Sequence, residues 1–405
     1  MKSNYKRLGN YIGVVDKRNR NLEIENLIGL SIQKKFIPSI SNIIGTDMST
    51  YRILNQNQFS YCSVTSRNGE KITIALYQEE KTAMVSQAYD VFEITNAKEL
   101  LPEYLMMWFK RPEFDRYARF MSHGSVREMF SWEDMCEVML PIPKPDKQKE
   151  IVKEYNTIVN RIALNNQLIQ KLEETAQAIY KQWFVDFEFP NEEGKPYKSN
   201  GGEMEMNLEL EKEIPIGWAF EKLSKYAECI LGGTPSRDKK EYWNGDINWI
   251  NSGEVNEVRI TKPSEKITRL GLTKSATKLL PKKTTVLAIT GATLGQVSIL
   301  EIDACANQSV IGVLENEIFP FEFIFPTIIY FIRELMRSET GGAQPHINKN
   351  DVESLKILCP YSDLLLNYKS IINPLYKLIE NLSFENDMLI QMNELMLSKL
   401  ATIEN

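Results

Sequence analysis

The chain has 405 residues, 43% of them hydrophobic and 25% charged, and carries a formal net charge of -6. That length exceeds one ordinary core and suits two domains, and no apolar run approaches the roughly 18 residues of a membrane span. The opening MKSNYKRLGNYIGVV lacks the apolar stretch and small-residue cleavage site of an export signal, so the expected compartment is the cytoplasm.

The first globular segment, residues 1–145, reads as α+β. KITIAL (71–76) and YDVFEI (89–94) have the alternation or short apolar run of strands, and residues 102–120 have a helical pattern. In residues 146–187, Ile151, Tyr155, Ile158, Ile162, Asn165, Ile169, Leu172, Ala176, Ile179 and Trp183 alternate spacings of four and three. This is a coiled-coil seam and predicts a long helix built to pair with another. Residues 188–213 are rich in Gly, Pro, Asn and Glu, a linker composition.

The second globular segment, residues 214–360, is again α+β, with TTVLAI (284–289) and QVSIL (296–300) as strands and a helix near 320–337. Charge is balanced in both segments: 19 basic against 17 acidic side chains in residues 1–144, and 17 of each in 214–359. Within the second, Arg259, Lys262, Lys266, Arg269, Lys274, Lys278, Lys282 and Lys283 meet only Glu265, an excess that suits one electropositive face or a plain solvated loop. Residues 361–405 repeat the seam as Tyr368, Ile372, Leu375, Ile379, Leu382, Asn386, Leu389, Asn393, Met396 and Leu400, with Pro374 expected to start or kink the regular helix.

The two seams are related by a shift of 217 residues, and the relation extends outward. GSVREMFSWEDMCEVMLPIP, from Gly124, falls on GGAQPHINKNDVESLKILCP, from Gly341, pairing Asp134 with Asp351, Leu140 with Ile357 and Pro143 with Pro360. With a slight slip, Tyr5, Arg7, Leu8 and Tyr11 match Phe220, Lys222, Leu223 and Tyr226. Both long helices are apolar beyond their seams, so either the globular domains fold back over them or partner helices complete a larger bundle. The second option is preferred here, which makes Val152, Val159, Leu168, Tyr180, Tyr376, Ile390 and Leu397 candidate partner-binding residues.

Reactive chemistry is sparse. Cys62, Cys136, Cys229, Cys305 and Cys359 are scattered singly and read as buried small hydrophobes, with neither a disulfide framework nor a zinc site. Only His123 and His346 exist, and both a GxxxxGK[ST] phosphate loop and the Asn/Asp-Pro-Pro-aromatic tetrapeptide of a base-flipping methyltransferase are missing. No catalytic residue and no metal site is therefore expected, a carboxylate nuclease being the open enzymatic alternative. Tyr242, Trp243 and Trp249 suit base stacking or a core, and the core is favoured.

Several motifs in order resemble the specificity subunit of type I restriction-modification systems over essentially the whole chain. In the second half these are IPIGW from Ile214, LGGTPSR, EYWNGDINWINSGEV, LLPKKTTVLAITGATLGQVSI, ACANQSVIGVL and GGAQPHINKNDVESLKI. In the first half, LPEYLMMWFKRPEFDRYARF, SHGSVRE, LPIPKPDKQKEIV, LEETAQAIYKQWFVDFEFP and GKPYKSNGG are similar to family segments, whereas residues 30–95 depart from the GTP and W–G–I–W pattern.

The resemblance implies two target recognition domains with a pseudo-two-fold repeat, separated by an antiparallel coiled coil of the two long helices. It implies a non-catalytic bacterial host-defence protein that binds double-stranded DNA and two DNA methyltransferase subunits, with room for two restriction subunits. S-adenosylmethionine, ATP and Mg²⁺ then belong to those partners and not to this chain. The alternative is a coiled-coil scaffold that touches no DNA. The expected DNA contacts are Arg67, Asn68 and Lys71 in the first domain and Arg259, Lys262, Lys266 and Arg269 in the second. An antiparallel register with Ile151 opposite Leu400 sets Leu172 opposite Ile379 and Asn165 opposite Asn386, where two amides satisfy each other. Ile158, Ile179 and Ile372 complete the seam layers of that register.

Overall fold

A computed structural model describes residues 4–39, 45–65, 71–123, 128–338 and 347–403. The chain forms two compact units: residues 1–162 with 388–405, and residues 163–387. Each unit holds one globular domain and a part of both long helices.

In the first unit the domain is built on an antiparallel sheet in the order Ile12–Val14, Asp90–Ile94, Gln58–Tyr61, Ile74–Leu76. Phe59, Tyr61 and Phe92 alternate onto the face that meets helix Pro102–Phe109, whose Tyr104, Leu105 and Phe109 are fully buried. Both helices of the 102–120 stretch begin with proline in the first turn, where the missing N–H costs no intrahelical bond.

In the second unit the same order recurs as Cys229–Leu231, Val310–Val313, Thr285–Ala288, Val297–Leu300, extended by a parallel edge strand, Arg259–Ile260. A second sheet runs Glu265–Ile267, Trp243–Ile250, Ala304–Ala306, Leu279–Leu280. Helix Phe321–Ser338 packs its apolar face on the first of these sheets.

The internal repeat is a repeat of structure. Tyr5–Arg7 pairs antiparallel with Met139–Pro141, and Ala219–Lys222 with Lys356–Cys359. The residues that the shift of 217 equates, Asp134 and Asp351, do one job: each closes a capping box, with Ser131 and Asn348 as the respective first residues. The slip at the two starts is accommodated by strand register, since Leu8 N–H donates to Val138 and Leu223 N–H to Leu355, residues 217 apart.

The long helices are Pro145–Tyr180 and Ser362–Lys399, and they pack together as a coiled coil. In the first unit Ile151 and Tyr155 share a core with Leu397 and Leu400, and Ile158 is buried. In the second, Leu172 and Ile179 pack with Ile372 and Ile379. Also in the second unit, Asn165 Nδ2 donates to Asn386 Oδ1 at 2.9 Å, and Asn386 Nδ2 donates to Asn166 Oδ1 at 2.8 Å, so the amides meet as the antiparallel register requires.

Three expectations change. The second long helix does not start at Pro374 but runs through it, because the exposed ring forfeits one backbone bond while the seam residues on both sides stay packed. The first helix closes in a single π turn, Lys181–Val185, which turns both neighbours Trp183 and Phe184 inward. The segment 188–213 is folded: Met204–Asn207 pairs with Lys212–Pro215, and Phe189 stacks on both Tyr197 and Trp218. Of the five cysteines, Cys229, Cys305 and Cys359 are buried and Cys62 and Cys136 half-buried, all unbridged.

Candidate nucleic-acid interface

Arg67 and Asn68 lie outside the described residues. Lys71, next to them, is exposed at the approach to strand Ile74–Leu76. In the second domain Lys266 projects from Glu265–Ile267 and Arg269 from the first turn of the short helix Arg269–Thr273; both are exposed. The turn is fixed from behind, since Thr268 caps that helix at Gly271 N–H and its own N–H donates to the Tyr242 carbonyl at 2.9 Å. Tyr242 and Trp249 are buried, which leaves Trp243, half-buried, as the aromatic ring at the surface of this edge.

Arg259 is a correction. Its guanidinium is 3% exposed, 2.8 Å from Glu173 on the first long helix and 3.1 Å from Glu301 in its own domain, with the Tyr376 ring 4.4 Å away. Burial works against the charge, but Glu173, Tyr376 and Glu301 outweigh it and raise the pKa above the ordinary arginine value. A side chain so enclosed has no donor to offer a duplex.

The same ionic cluster takes more of the basic run. Lys283 donates to Glu301 at 2.5 Å and to Glu380 at 3.1 Å, Lys282 also binds Glu380, and Lys377 approaches Glu380 at 3.2 Å. Burial alone pushes the Glu380 carboxyl up, yet the lysine hydrogen bonds together bring it down to about 2. Lys262, though exposed, has its ammonium 3.3 Å from Asp387 on the second long helix. Half of what reads in sequence as an electropositive face is thus a seam of charge holding the second domain to both helices. Sequence reasoning missed this because the helix acids that complete it, Glu173 and Glu380, are 86 and 97 positions from Arg259 and Lys283; the available signal was that both stand directly beside seam residues, Leu172 and Ile379.

Three candidate partner-binding residues are corrected as well. Tyr180 is buried and donates to Thr327 at 3.0 Å, Tyr376 is buried against Phe321 and Arg259, and Leu397 belongs to the first unit's core. Val152 and Val159 are half-buried against that core. In these places the domains do fold over the helices. Leu168 and Ile390 remain exposed, joined by Leu164, Leu366, Ile371 and Leu378 in the second unit and Met388, Met392 and Leu395 in the first.

Among the described residues no cluster of His, Cys, Asp and Glu is arranged to hold a metal, and no helix is long and apolar enough to cross a membrane. The family model of the type I restriction modification DNA specificity domain matches residues 14–174 and 215–382, one match on each half of the structural repeat. The chain belongs to this family. Among curated members of such systems, the HindI specificity subunit of Haemophilus influenzae is 22% identical, covering 92% of this chain and 92% of its own length. The MjaIX specificity subunit of Methanocaldococcus jannaschii is 25% identical, covering 75% of this chain and 68% of its own. The S subunit of a type I restriction-modification system from M. genitalium superposes over 99% of this chain and 96% of its own, with a TM-score of 0.58 and 13% identity, a likeness of fold. This specificity-domain chain therefore has the mixed helix-and-sheet domains of its family, present twice, with the paired long helices.

Proposed function

We propose that the chain is the sequence-reading subunit of a type I restriction-modification complex, addressing two half-sites of one duplex and carrying two methyltransferase subunits. The observation that carries this is the duplication itself: two domains of one design, each followed by a helix whose seam fits the other in antiparallel register. Two like readers in one chain suit a split target. Exposed apolar residues of the long helices, Leu164 and Leu168 in the second unit and Ile390 and Met392 in the first, suit helices of the methyltransferase subunits. Methyl transfer and any ATP-driven step fall to those subunits, which would hold S-adenosylmethionine, ATP and Mg²⁺.

The test is a duplex-binding titration of the chain with its methyltransferase subunit. Phosphate contacts give an affinity that falls steeply with salt, so the expected result is a salt-dependent complex on DNA that disappears when this chain is left out. The second reading, a scaffold without DNA binding, gains support from the internal use of Arg259, Lys282 and Lys283. It predicts the same weak DNA retention with and without the chain.

The helices further serve as a ruler. From Ile151 to Trp183 the seam spans about 48 Å at 1.5 Å per residue, and half-sites on one side of B-DNA need centres roughly 34–36 Å apart, so domains slightly inset from the helix ends fit. One heptad added to each helix at matched layers should favour a gap about three base pairs longer. Retention of the original gap would make the helices a scaffold only.

A further inference from the structure

The LGGTPSR motif, residues 231–237, lies outside the helix seam and the charge cluster. Its glycines press the backbone against the domain: a Cβ at Gly232 would meet the Asn307 carbonyl oxygen at 2.1 Å, and one at Gly233 the Thr277 nitrogen at 2.6 Å. Gly233 N–H donates to the Ala306 carbonyl at 2.7 Å, and its own carbonyl accepts from Trp249 Nε1 at 3.2 Å. Farther on, the Ser236 carbonyl accepts from Trp243 Nε1 at 3.1 Å. A loop held at both ends launches Arg237.

Arg237 is mounted, not buried. Its guanidinium lies 3.6 Å from the Trp243 ring centroid and 5.1 Å from that of Trp249, and its two Nη atoms donate to the two carboxylate oxygens of Glu265, yet the side chain is 54% exposed. Stacking and a fork-to-fork carboxylate remove the rotamer freedom that an exposed arginine normally keeps. Glu265 occupies one edge of the guanidinium. The other edge, Nε with the second hydrogen of an Nη, has no partner among the described residues and presents two parallel N–H groups.

Charge decides what such an edge is for. The charged residues that follow it in the loop, Asp238, Lys239, Lys240 and Glu241, cancel, and Glu265 compensates the guanidinium itself, so the loop carries no net positive charge with which to grip phosphate. A pre-aimed pair of donors on a neutral surface suits instead two acceptors side by side, as guanine offers with O6 and N7 in the major groove. Resting on the DNA-reading function proposed above, the geometry points to Arg237 as a base-reading residue of the second domain that recognises guanine, with Trp243 and Glu265 as its positioning residues.

The experiment uses the full chain in complex with its methyltransferase subunit, acting on a DNA pool randomised one position at a time, with methylated molecules sequenced. In Arg237→Ala, preference for a G·C pair at one position of one half-site falls roughly 5-fold to 150-fold, while the other half-site and the gap stay the same. Arg237→Lys, which keeps the charge but not the fork, gives the same degenerate position. A uniform loss over all sequences, or lost complex assembly and a lowered melting temperature in both variants, overturns base reading in favour of a phosphate or structural role. A wild-type word that survives in both variants overturns the assignment alone. A wild-type complex with no preferred word overturns the DNA-reading proposal and this assignment together.

Discussion

The two units fasten their domains to the long helices by different chemistry although the chain repeats itself. In the second unit, charge is added to apolar packing: Glu173 and Glu380 of the helices bind Arg259, Lys283 and Lys282 of the domain in a largely buried cluster, beside the contact of Tyr180 and Tyr376 with helix Phe321–Ser338. For the first domain, the helix positions that the shift of 217 makes equivalent are Ile390 and Ala163, which carry no charge. There the fastening is apolar, through Ile151, Tyr155, Leu397 and Leu400, with Gln148 binding the Leu101 N–H and the Glu99 and Pro143 carbonyls. The first domain does own a buried ion pair, Lys34 with Asp115 at 2.8 Å, but it stays inside the domain. What the repeat preserves is backbone framing, namely the strand pair, the capping box and the seam. Apolar contact tolerates small slides, whereas a cluster of buried charges is satisfied in one geometry and is expensive to leave half-made.

The largest effect that follows is on the ionic side. Arg259→Ala strands Glu173, leaves Glu301 with Lys283 alone, and should cost the second unit about 3–5 kcal/mol, against much less for Arg259→Met together with neutralised acids. Urea unfolding read by hydrogen exchange on each domain checks it, and an equal loss in the first domain would erase the contrast. On the apolar side, Ile151→Ala should destabilise the first unit by about 2–4 kcal/mol and leave the second nearly unchanged.

Acid sharpens the same contrast. The folded Glu380 carboxyl is depressed to about 2, below the ordinary unfolded value, so its stabilisation is present above the unfolded pKa and is lost as pH falls toward 2. Glu322 runs the other way. It is fully buried, neither carboxylate oxygen finds a hydrogen-bond partner in another residue, and burial raises its pKa against the weaker pull of its own backbone N–H, Lys369 and Lys283, with Glu315 adding to the rise. The folded form therefore prefers the protonated acid, and stability present below the unfolded pKa is lost as pH rises through the raised one. Glu322→Gln should stabilise the second unit at neutral pH by about 1–3 kcal/mol, with the gain vanishing in acid. Thermal melts from pH 3 to 8 measure both, and parallel curves for variant and parent would contradict the assignment. The smallest effect concerns the amide layer: Asn165→Leu with Asn386→Leu should stabilise the helix pair by about 1 kcal/mol while loosening its register, visible as disulfide trapping between cysteines placed one heptad out of line.

Most of the frame was legible because it rests on local rules. Asp134 and Asp351 sit three residues after a capping side chain, and the seam residues keep one spacing over the length of each helix, so period and shift were readable without contacts. The α+β domains and the amide pair followed from the same patterns. The charge seam was not legible from the run 259–283, because composition records that Arg259 and Lys283 are cations and says nothing of acids delivered from two distant helices. Tyr180 and Tyr376 were misread for a related reason: an apolar stripe wider than a seam announces that something covers it, and here the cover is helix Phe321–Ser338 of the same unit. Arg237 escaped because its meaning comes from Trp243 and Glu265, which only the fold brings beneath it.

The central claim is that one chain reads two words with two domains. Mapping every methylated base in a host that carries this chain with its methyltransferase subunit, then repeating the map after exchanging residues 214–360 for the corresponding domain of another family member, tests it most directly. The account predicts a bipartite word with a constant gap, of which the exchange rewrites one half and leaves the other half and the gap intact. A single continuous word, or a bipartite word that the exchange leaves unchanged, would contradict it.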